Sequence, residues 1–153
     1  ADEIDTVISM GNFFDGDYGK VYDELSAIRS LTRNKVLKVI LETGELKTPD
    51  NIALASDIAI EAGADFIKTS TGKTQVSATP EAVEIMLNSI FQHFKKTGKQ
   101  VGLKVAGGIS TSEEAIKYAF MAQDKMGLEY ICNQTFRIGT SRLTDKLFNI
   151  LTE

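Results

Sequence analysis

The hydrophobic and polar positions of this chain follow two alternating periods, which predicts strands and helices in regular succession. Short runs rich in Val, Ile and Leu predict strands, and longer segments with apolar residues three or four positions apart predict amphipathic helices. The predicted strands are Glu3–Met10, Val36–Leu41, Asp65–Ser70, Val101–Ala106 and Phe136–Gly139. The predicted helices occupy residues 17–32, 49–62, 80–96, 112–126 and 141–151.

Local signals mark the start of three of these helices. Thr48-Pro49 and Thr79-Pro80 each provide an N-cap residue followed by a proline at the first helical position. The sequence TSEE at 111–114 is a capping box, in which the hydroxyl of the first residue and the carboxylate of the last satisfy backbone N–H groups. These signals support the helix assignments independently of the apolar periodicity.

The order of the elements predicts an α/β fold. Five strand–helix units without a hairpin signal indicate a parallel sheet with helical crossovers. Such a sheet is covered by helices on both faces or closes into a barrel. Five units are too few for a complete eight-unit barrel, which usually has about 250 residues. We therefore expect residues 1–153 to form a single domain without an internal linker.

The composition narrows the function classes. The chain has 153 residues, 42% of them hydrophobic, and a net charge of −4, which argues against a nucleic-acid or anionic-membrane partner. No apolar run approaches the roughly 20 residues of a membrane helix. With one cysteine, Cys132, and one histidine, His93, neither an internal disulfide nor a zinc cluster is expected, and the expected location is cytoplasmic. The chain begins with a strand pattern and no initiator Met, which suggests a segment cut from within a domain.

Four ionisable residues lie on the less aliphatic faces of their strands. Side chains alternate across a strand, so these residues point away from the aliphatic neighbours that pack on helices. They are Asp5, Lys38, Lys68 and Lys104. One lysine in a strand usually marks an edge or reaches solvent, but a matching set on four strands favours a cluster inside a barrel. Adjacent ammonium groups and burial disfavour protonation, so one lysine can be neutral near pH 7 and form a Schiff base with a carbonyl.

Small residues follow three of the strands: STG at 70–72, AGG at 106–108 and GTS at 139–141. Such residues allow backbone N–H groups to approach an anion, and barrels often hold phosphate in the loops after their last two strands. Each turn alone is better explained as a tight connection that requires glycine. Beside the lysine cluster, the three together indicate a phosphorylated carbonyl substrate.

Five motifs carry a resemblance to a known family. They are LKVILETGEL (37–46), AGADFIKTSTGK (62–73), ATPEAV (78–83), GLKVAGGI (102–109) and FRIGTS (136–141). In this order they closely resemble the deoxyribose-phosphate aldolases, which are class I aldolases with a (β/α)8 TIM-barrel fold. The resemblance implies that the chain holds the last five βα units of such a barrel, with the N-terminal units missing. It also implies cleavage of 2-deoxy-D-ribose 5-phosphate to acetaldehyde and D-glyceraldehyde 3-phosphate, without a metal or organic cofactor.

The resemblance also implies roles for individual residues. Lys68 would be the Schiff-base lysine, Lys104 the neighbouring cation that favours its neutral form, and Asp5 the proton-relay carboxylate. Lys38 resembles a further active-site lysine. The positions that match phosphate-holding residues are Thr71, Gly72, Lys73, Gly107, Gly108, Thr140 and Ser141. Thr140 replaces a serine common in the family and keeps the hydroxyl, whereas residues 9–20 match the family loop poorly and suggest no site.

Two alternative functions remain open at this point. One is another class I aldolase that acts on a different sugar phosphate. The other is a catalytically inactive partial barrel that serves as a binding or assembly module, which would bind phosphate but form no imine. The expected partners are a small sugar-phosphate substrate and, as a candidate assembly, a second copy of the chain in a homodimer.

Overall fold

The computed structural model describes residues 1–140 and residue 143, and its centre is one parallel sheet of five strands. The strands are β1 (Glu3–Val7), β2 (Val36–Ile40), β3 (Phe66–Lys68), β4 (Gly102–Ala106) and β5 (Phe136–Gly139). They are hydrogen-bonded in sequence order, and every pair is parallel. The predicted α/β class and parallel topology are therefore confirmed.

Helices connect the strands. They are α1 (Met10–Phe14), α2 (Tyr18–Leu31), α3 (Thr43–Leu46), α4 (Pro49–Glu61), α5 (Pro80–Thr97) and α6 (Ser112–Met126), and a 3-10 turn covers Leu128–Tyr130. Four of the predicted helices correspond to α2, α4, α5 and α6, and the predicted helix 141–151 falls outside the described residues except for residue 143. Within the described part of the chain, no helix is both long and apolar enough to cross a membrane.

The predicted caps are present. The hydroxyl of Thr48 accepts a hydrogen bond from the N–H of Asn51, and Thr79 caps α5 in the same way. At the start of α6, Thr111 and Glu114 form the reciprocal capping box. Each cap satisfies N–H groups that the first helical turn leaves without a partner, so the helices start where the sequence signals place them.

Four strands are shorter than predicted: β2 and β4 by one residue each, and β1 and β3 by more. The first ends at Val7 rather than Met10, because Met10 begins α1, which buries Phe13 in the core. The third ends at Lys68 rather than Ser70. Beyond this end, Thr69 continues the pairing with β4 through both its backbone and its side chain, and its N–H donates to the carbonyl of Lys104 at 3.1 Å. Its hydroxyl accepts a hydrogen bond from the N–H of Ala106 (2.9 Å) and donates one to the carbonyl of the same residue (2.8 Å).

The sheet has two chemically different faces, as the alternation of side chains predicted. One face is aliphatic and packs against the apolar sides of the helices; its fully buried members include Leu37, Val39, Ile67, Leu103 and Val105. The opposite face carries the ionisable residues of β1 to β4. The fold thus removes the aliphatic residues from water and gathers the charges on the concave side of the sheet.

Candidate active site

The four ionisable residues predicted to converge do form a cluster. Asp5 on β1 is the register partner of Lys38 on β2, and Lys68 on β3 is the partner of Lys104 on β4. Asp5 Oδ1 lies 2.7 Å from Lys38 Nζ, and Asp5 Oδ2 lies 2.8 Å from Lys68 Nζ. Lys104 Nζ is 3.9 Å from Asp5 Oδ2, beyond hydrogen-bonding distance. One carboxylate is therefore shared among three ammonium groups.

A second ionic layer lies beside this cluster, and the sequence reasoning missed it. Glu3 accepts a hydrogen bond from Lys38 Nζ at 2.9 Å and two from Arg137 Nη1 at 2.8 and 2.6 Å. The guanidinium of Arg137 also lies over the ring of Phe66, 4.7 Å from its centroid. The parity rule that identified Asp5 could have found Glu3, which is two positions earlier on the same strand.

The pKa values of the cluster follow from these contacts. Burial alone would raise the pKa of Asp5, but hydrogen bonds from Lys38 and Lys68 outweigh it and hold the pKa below its ordinary value. Burial alone would lower the pKa of Lys38, but its bonds to Asp5 and Glu3 raise it instead. For Lys104, burial and the charge of Lys68 lower the pKa. Asp5 is therefore ionised at neutral pH, and Lys38 is a cation stabilised by two carboxylates. Lys104 is the lysine whose charged form is least stabilised by its surroundings.

The outer layer has the most strongly shifted carboxyl group. Hydrogen bonds from Arg137 and then from Lys38 lower the pKa of Glu3 to about 2. Glu3 is consequently charged throughout the neutral and mildly acidic range. It compensates one of the cations on the concave face, where three lysines and one arginine meet two carboxylates.

A pocket of about 660 Å³ opens at the carboxyl ends of β3, β4 and β5. Lys68 and Lys104 line it, together with small and polar residues of the loops that follow these strands. All but one of the predicted phosphate-holding residues are at its wall: Thr71, Gly72, Lys73, Gly107, Gly108 and Thr140. The remaining one, Ser141, lies outside the described residues. In the described part of the chain, no group of three or more His, Cys, Asp or Glu side chains is placed to hold a metal ion.

Glu42 is a further residue that the sequence reasoning did not assign to the site. It lies two residues after the end of β2, is only 6% exposed, and accepts hydrogen bonds from Thr71 and Thr74. Glycine 107 shows how close the loops are, since a Cβ there would lie 2.5 Å from the Cβ of Ser77. The loops after β2, β3 and β4 therefore form one packed rim around the pocket.

Comparison with protein families and known sequences gives a consistent result. The model of a family described as DeoC/LacD family aldolase matches residues 1–133. A deoxyribose-phosphate aldolase of Agrobacterium fabrum is 48% identical over 152 residues, which is 99% of this chain and 57% of that protein. The human deoxyribose-phosphate aldolase is 42% identical over 143 residues, covering 94% of this chain and 45% of its own length. The chain spans about half the length of these relatives.

Solved structures show the same likeness. A crystal structure from Coccidioides immitis, described as a deoxyribose-phosphate aldolase, superposes with a TM-score of 0.82 at 28% identity. The match covers 100% of this chain and 53% of that one. A deoxyribose phosphate aldolase from Aeropyrum pernix, described as a tetramer, gives a TM-score of 0.67 at 28% identity, with 99% of this chain and 56% of that one covered. The five-stranded sheet thus corresponds to part of a larger aldolase barrel.

Proposed function

The chain belongs to the DeoC/LacD family of aldolases, and from this premise we propose that it contributes the Schiff-base site of a deoxyribose-phosphate aldolase. The proposed reaction is cleavage of 2-deoxy-D-ribose 5-phosphate to acetaldehyde and D-glyceraldehyde 3-phosphate. One observation carries the proposal: Lys68 lines the pocket while its Nζ lies 2.8 Å from the carboxylate of Asp5. A nucleophile and a group able to exchange protons with it are thereby adjacent.

The three lysines differ in their access to a substrate. The Lys38 side chain is 5% exposed and is held by both Glu3 and Asp5, which suits it to orienting the relay carboxylate. Lys68 and Lys104 both line the pocket, but only Lys68 is within hydrogen-bonding distance of Asp5. We therefore assign Lys68 as the nucleophile. The neighbouring charge of Lys104 repels a second ammonium group, which favours loss of one proton from the pair.

The reaction begins when the neutral amine of Lys68 attacks C1 of the open-chain sugar aldehyde. The resulting carbinolamine loses water and becomes a protonated imine, which withdraws electrons from the neighbouring carbons. Asp5, acting through a water molecule, accepts the proton of the C3 hydroxyl, and the C2–C3 bond breaks. Glyceraldehyde 3-phosphate leaves, and the electron pair remains as an enamine of acetaldehyde. Protonation of the enamine and hydrolysis of the imine release acetaldehyde and restore Lys68.

Part of the pocket wall suits the phosphate group. Backbone N–H groups of small residues can approach an anion closely, and Lys73 adds a positive charge at the same wall. We assign Thr71, Gly72, Gly107, Gly108 and Thr140 to the same role, with Ser141 as an expected further contributor. A bound phosphate would fix the sugar so that its C1 end reaches Lys68.

The barrel and its assembly extend the proposal. We propose that residues 1–153 belong to one barrel domain and correspond to its last five βα units, which the sequential strand order and the partial coverage of the solved aldolases support. Self-association is supported by the relative described as a tetramer. A cytoplasmic location is proposed on the strength of the single cysteine, which suits a reducing compartment.

The test is product analysis with the full-length protein and 2-deoxy-D-ribose 5-phosphate. We expect acetaldehyde, measured by its NADH-dependent reduction with added alcohol dehydrogenase. A different aldehyde product from a different sugar phosphate would indicate another class I aldolase. Phosphate binding without any imine would indicate a binding module instead, and either result would refute the proposed reaction.

A further inference from the structure

Glu42 is a buried carboxylate that none of the proposed chemical steps uses. Its backbone is in the left-handed region, with φ 54° and ψ 58°, a conformation that residues with a Cβ rarely adopt. Such a backbone persists only where surrounding contacts hold it in place, and these positions cluster at functional sites. The contacts of the Glu42 side chain therefore indicate what the conformation serves.

The carboxylate of Glu42 binds the segment 71–74, which we call the 71–74 loop. It accepts hydrogen bonds from the N–H of Thr71 at 3.2 and 3.3 Å and from Thr71 Oγ1 at 2.5 Å. Thr74 Oγ1 lies 3.2 Å from Glu42 Oε1 and 3.0 Å from the carbonyl oxygen of Val76, so it shares its one proton between these two acceptors. Hydrogen bonds to an ionised acceptor are stronger than those between neutral groups, and burial strengthens them further. The first and last residues of the loop, Thr71 and Thr74, thus both contact the side chain of Glu42 in the loop after β2.

The two residues between these attachment points, Gly72 and Lys73, line the pocket. The segment that follows the loop is also tightly packed. A Cβ on Gly44 would lie 2.1 Å from the carbonyl oxygen of Val76, so the backbone after the loop rests directly on α3. The loop therefore has little freedom to move away from α3, and Glu42 determines the position of the part that faces the pocket.

We propose that Glu42 is a positioning residue for anion binding: it holds the 71–74 loop so that Gly72 and Lys73 meet the phosphate group of the substrate. The inference rests on the proposed function for the identity of that group. Glu42 itself does not touch the ligand. Its carboxylate oxygens are occupied by hydrogen bonds from donors of the loop, and this keeps its negative charge from opposing the anion directly.

The sign of a mutational effect separates positioning from simple electrostatics. Neutralising a carboxylate near an anion site should strengthen anion binding if the charge acts only through its field. Neutralising a carboxylate that holds the loop should weaken binding, because the amide that replaces it presents N–H donors to the donors of the loop. The two accounts predict opposite changes.

The experiment measures inorganic phosphate binding to the full-length protein by calorimetric titration, for the wild type, Glu42→Gln and Glu45→Gln. Glu45 is an exposed residue of α3, so its substitution makes the same charge change without touching the loop. We expect Glu42→Gln to weaken phosphate binding at least about tenfold and Glu45→Gln to change it less than about twofold. We also expect the loss of kcat/KM for 2-deoxyribose 5-phosphate to exceed the loss for unphosphorylated 2-deoxyribose by a similar factor.

Unchanged or tighter phosphate binding by Glu42→Gln overturns the inference, as does equal weakening by Glu45→Gln. Absence of phosphate binding by the wild type also overturns it, whether or not acetaldehyde is released. Conversely, a wild type that releases no acetaldehyde but loses phosphate binding on Glu42→Gln refutes the proposed function and leaves the inference standing. If Glu42→Gln does not fold, Thr74→Val decides: it removes one donor to Glu42 and should weaken phosphate binding about threefold, and no change overturns the inference.

Discussion

Glu3 and Arg137 are 134 positions apart in the sequence, yet Arg137 Nη1 lies 2.6 Å from Glu3 Oε2. They belong to β1 and β5, which are at opposite ends of the five-stranded order and share no backbone pairing in the described part of the chain. The ion pair exists because the sheet curves until the side chains of its first and last strands meet. Curvature of this kind is what a barrel requires.

Lys68 is expected to form the covalent intermediate. Borohydride reduction of the full-length protein with 2-deoxyribose 5-phosphate should leave a stable adduct on Lys68, since its Nζ faces the pocket beside Asp5. Peptide mass spectrometry locates the adduct. Lys68→Ala should abolish it, whereas replacement of the exposed Lys99 by Ala should leave it intact. An adduct on Lys104 would contradict the assignment.

Lys104 is expected to tune the site by its charge. Lys104→Leu removes the cation next to Lys68, and with it the repulsion between the two ammonium groups. The rise of the cleavage rate with pH should therefore move to higher pH in a full rate–pH profile. Lys104→Arg retains the charge and should move the profile much less. A lower rate with an unshifted profile would show that Lys104 orients groups instead.

Glu3 is expected to contribute to stability in a defined pH range. Its pKa is lowered from 4.5 to about 2 in the folded chain, so the contribution is fully present above about pH 4.5 and is lost as the pH falls towards 2. We expect about 1 kcal/mol or less at neutral pH, because 35% of the side chain is exposed to solvent. Urea unfolding of Glu3→Gln should show a smaller loss of stability between pH 5 and about pH 2 than the wild type. Parallel curves for the two proteins would exclude this role.

Tyr130 is expected to stabilise the fold through its hydroxyl group. The side chain is 2% exposed, and its O–H donates to the carbonyl of Val101 at 2.8 Å. Tyr130→Phe leaves that carbonyl without this partner and should reduce the free energy of unfolding by about 1–2 kcal/mol. The exposed Tyr22 provides the control, since Tyr22→Phe should change it by less than about 0.5 kcal/mol. Equal effects would mean that the hydrogen bond is not the cause.

Residues 1–153 expressed alone are expected to be weakly stable or self-associating, and inactive. Among the described residues, β1 and β5 each pair on one side only, which leaves backbone groups free to pair with another chain. On the concave face the side chains of Glu3 and Asp5 are 35% and 32% exposed, and contact with water weakens their interaction with the lysines. Light scattering, a thermal melt and an acetaldehyde assay test these points. A monodisperse monomer with a cooperative melt and measurable activity would contradict the expectation.

The sequence predicted the cluster around Asp5 because the two-residue period of a strand is a local property. The same rule places Glu3 on the face of Asp5, and the register of β5 places Arg137 beside Lys104. Glu42 is different. Its contacts depend on a left-handed backbone and on the packing of its loop against the loop that holds Thr71, which lies 29 residues later in the sequence.

The short helices α1 and α3 were also beyond sequence reasoning. With 5 and 4 residues, they have too few positions to display a helical period. Tertiary contacts determine them instead: α1 buries Phe13 and α3 buries Leu46. The end of β3 was predicted wrongly for a related reason, because the hydroxyl of Thr69 makes its hydrogen bonds to Ala106, 37 residues away in the sequence.

The sequential order of the strands has a consequence for biosynthesis. During translation each new strand can dock on the strand made just before it, so the sheet can grow by one βα unit at a time while the ribosome is still at work. The charges arrive in the same order: the acidic Asp5 first, then Lys38 and Lys68, and Lys104 after both. Within this cluster the carboxylate is therefore synthesised before any of the three lysines, and the mutual repulsion of the ammonium groups opposes only the later additions.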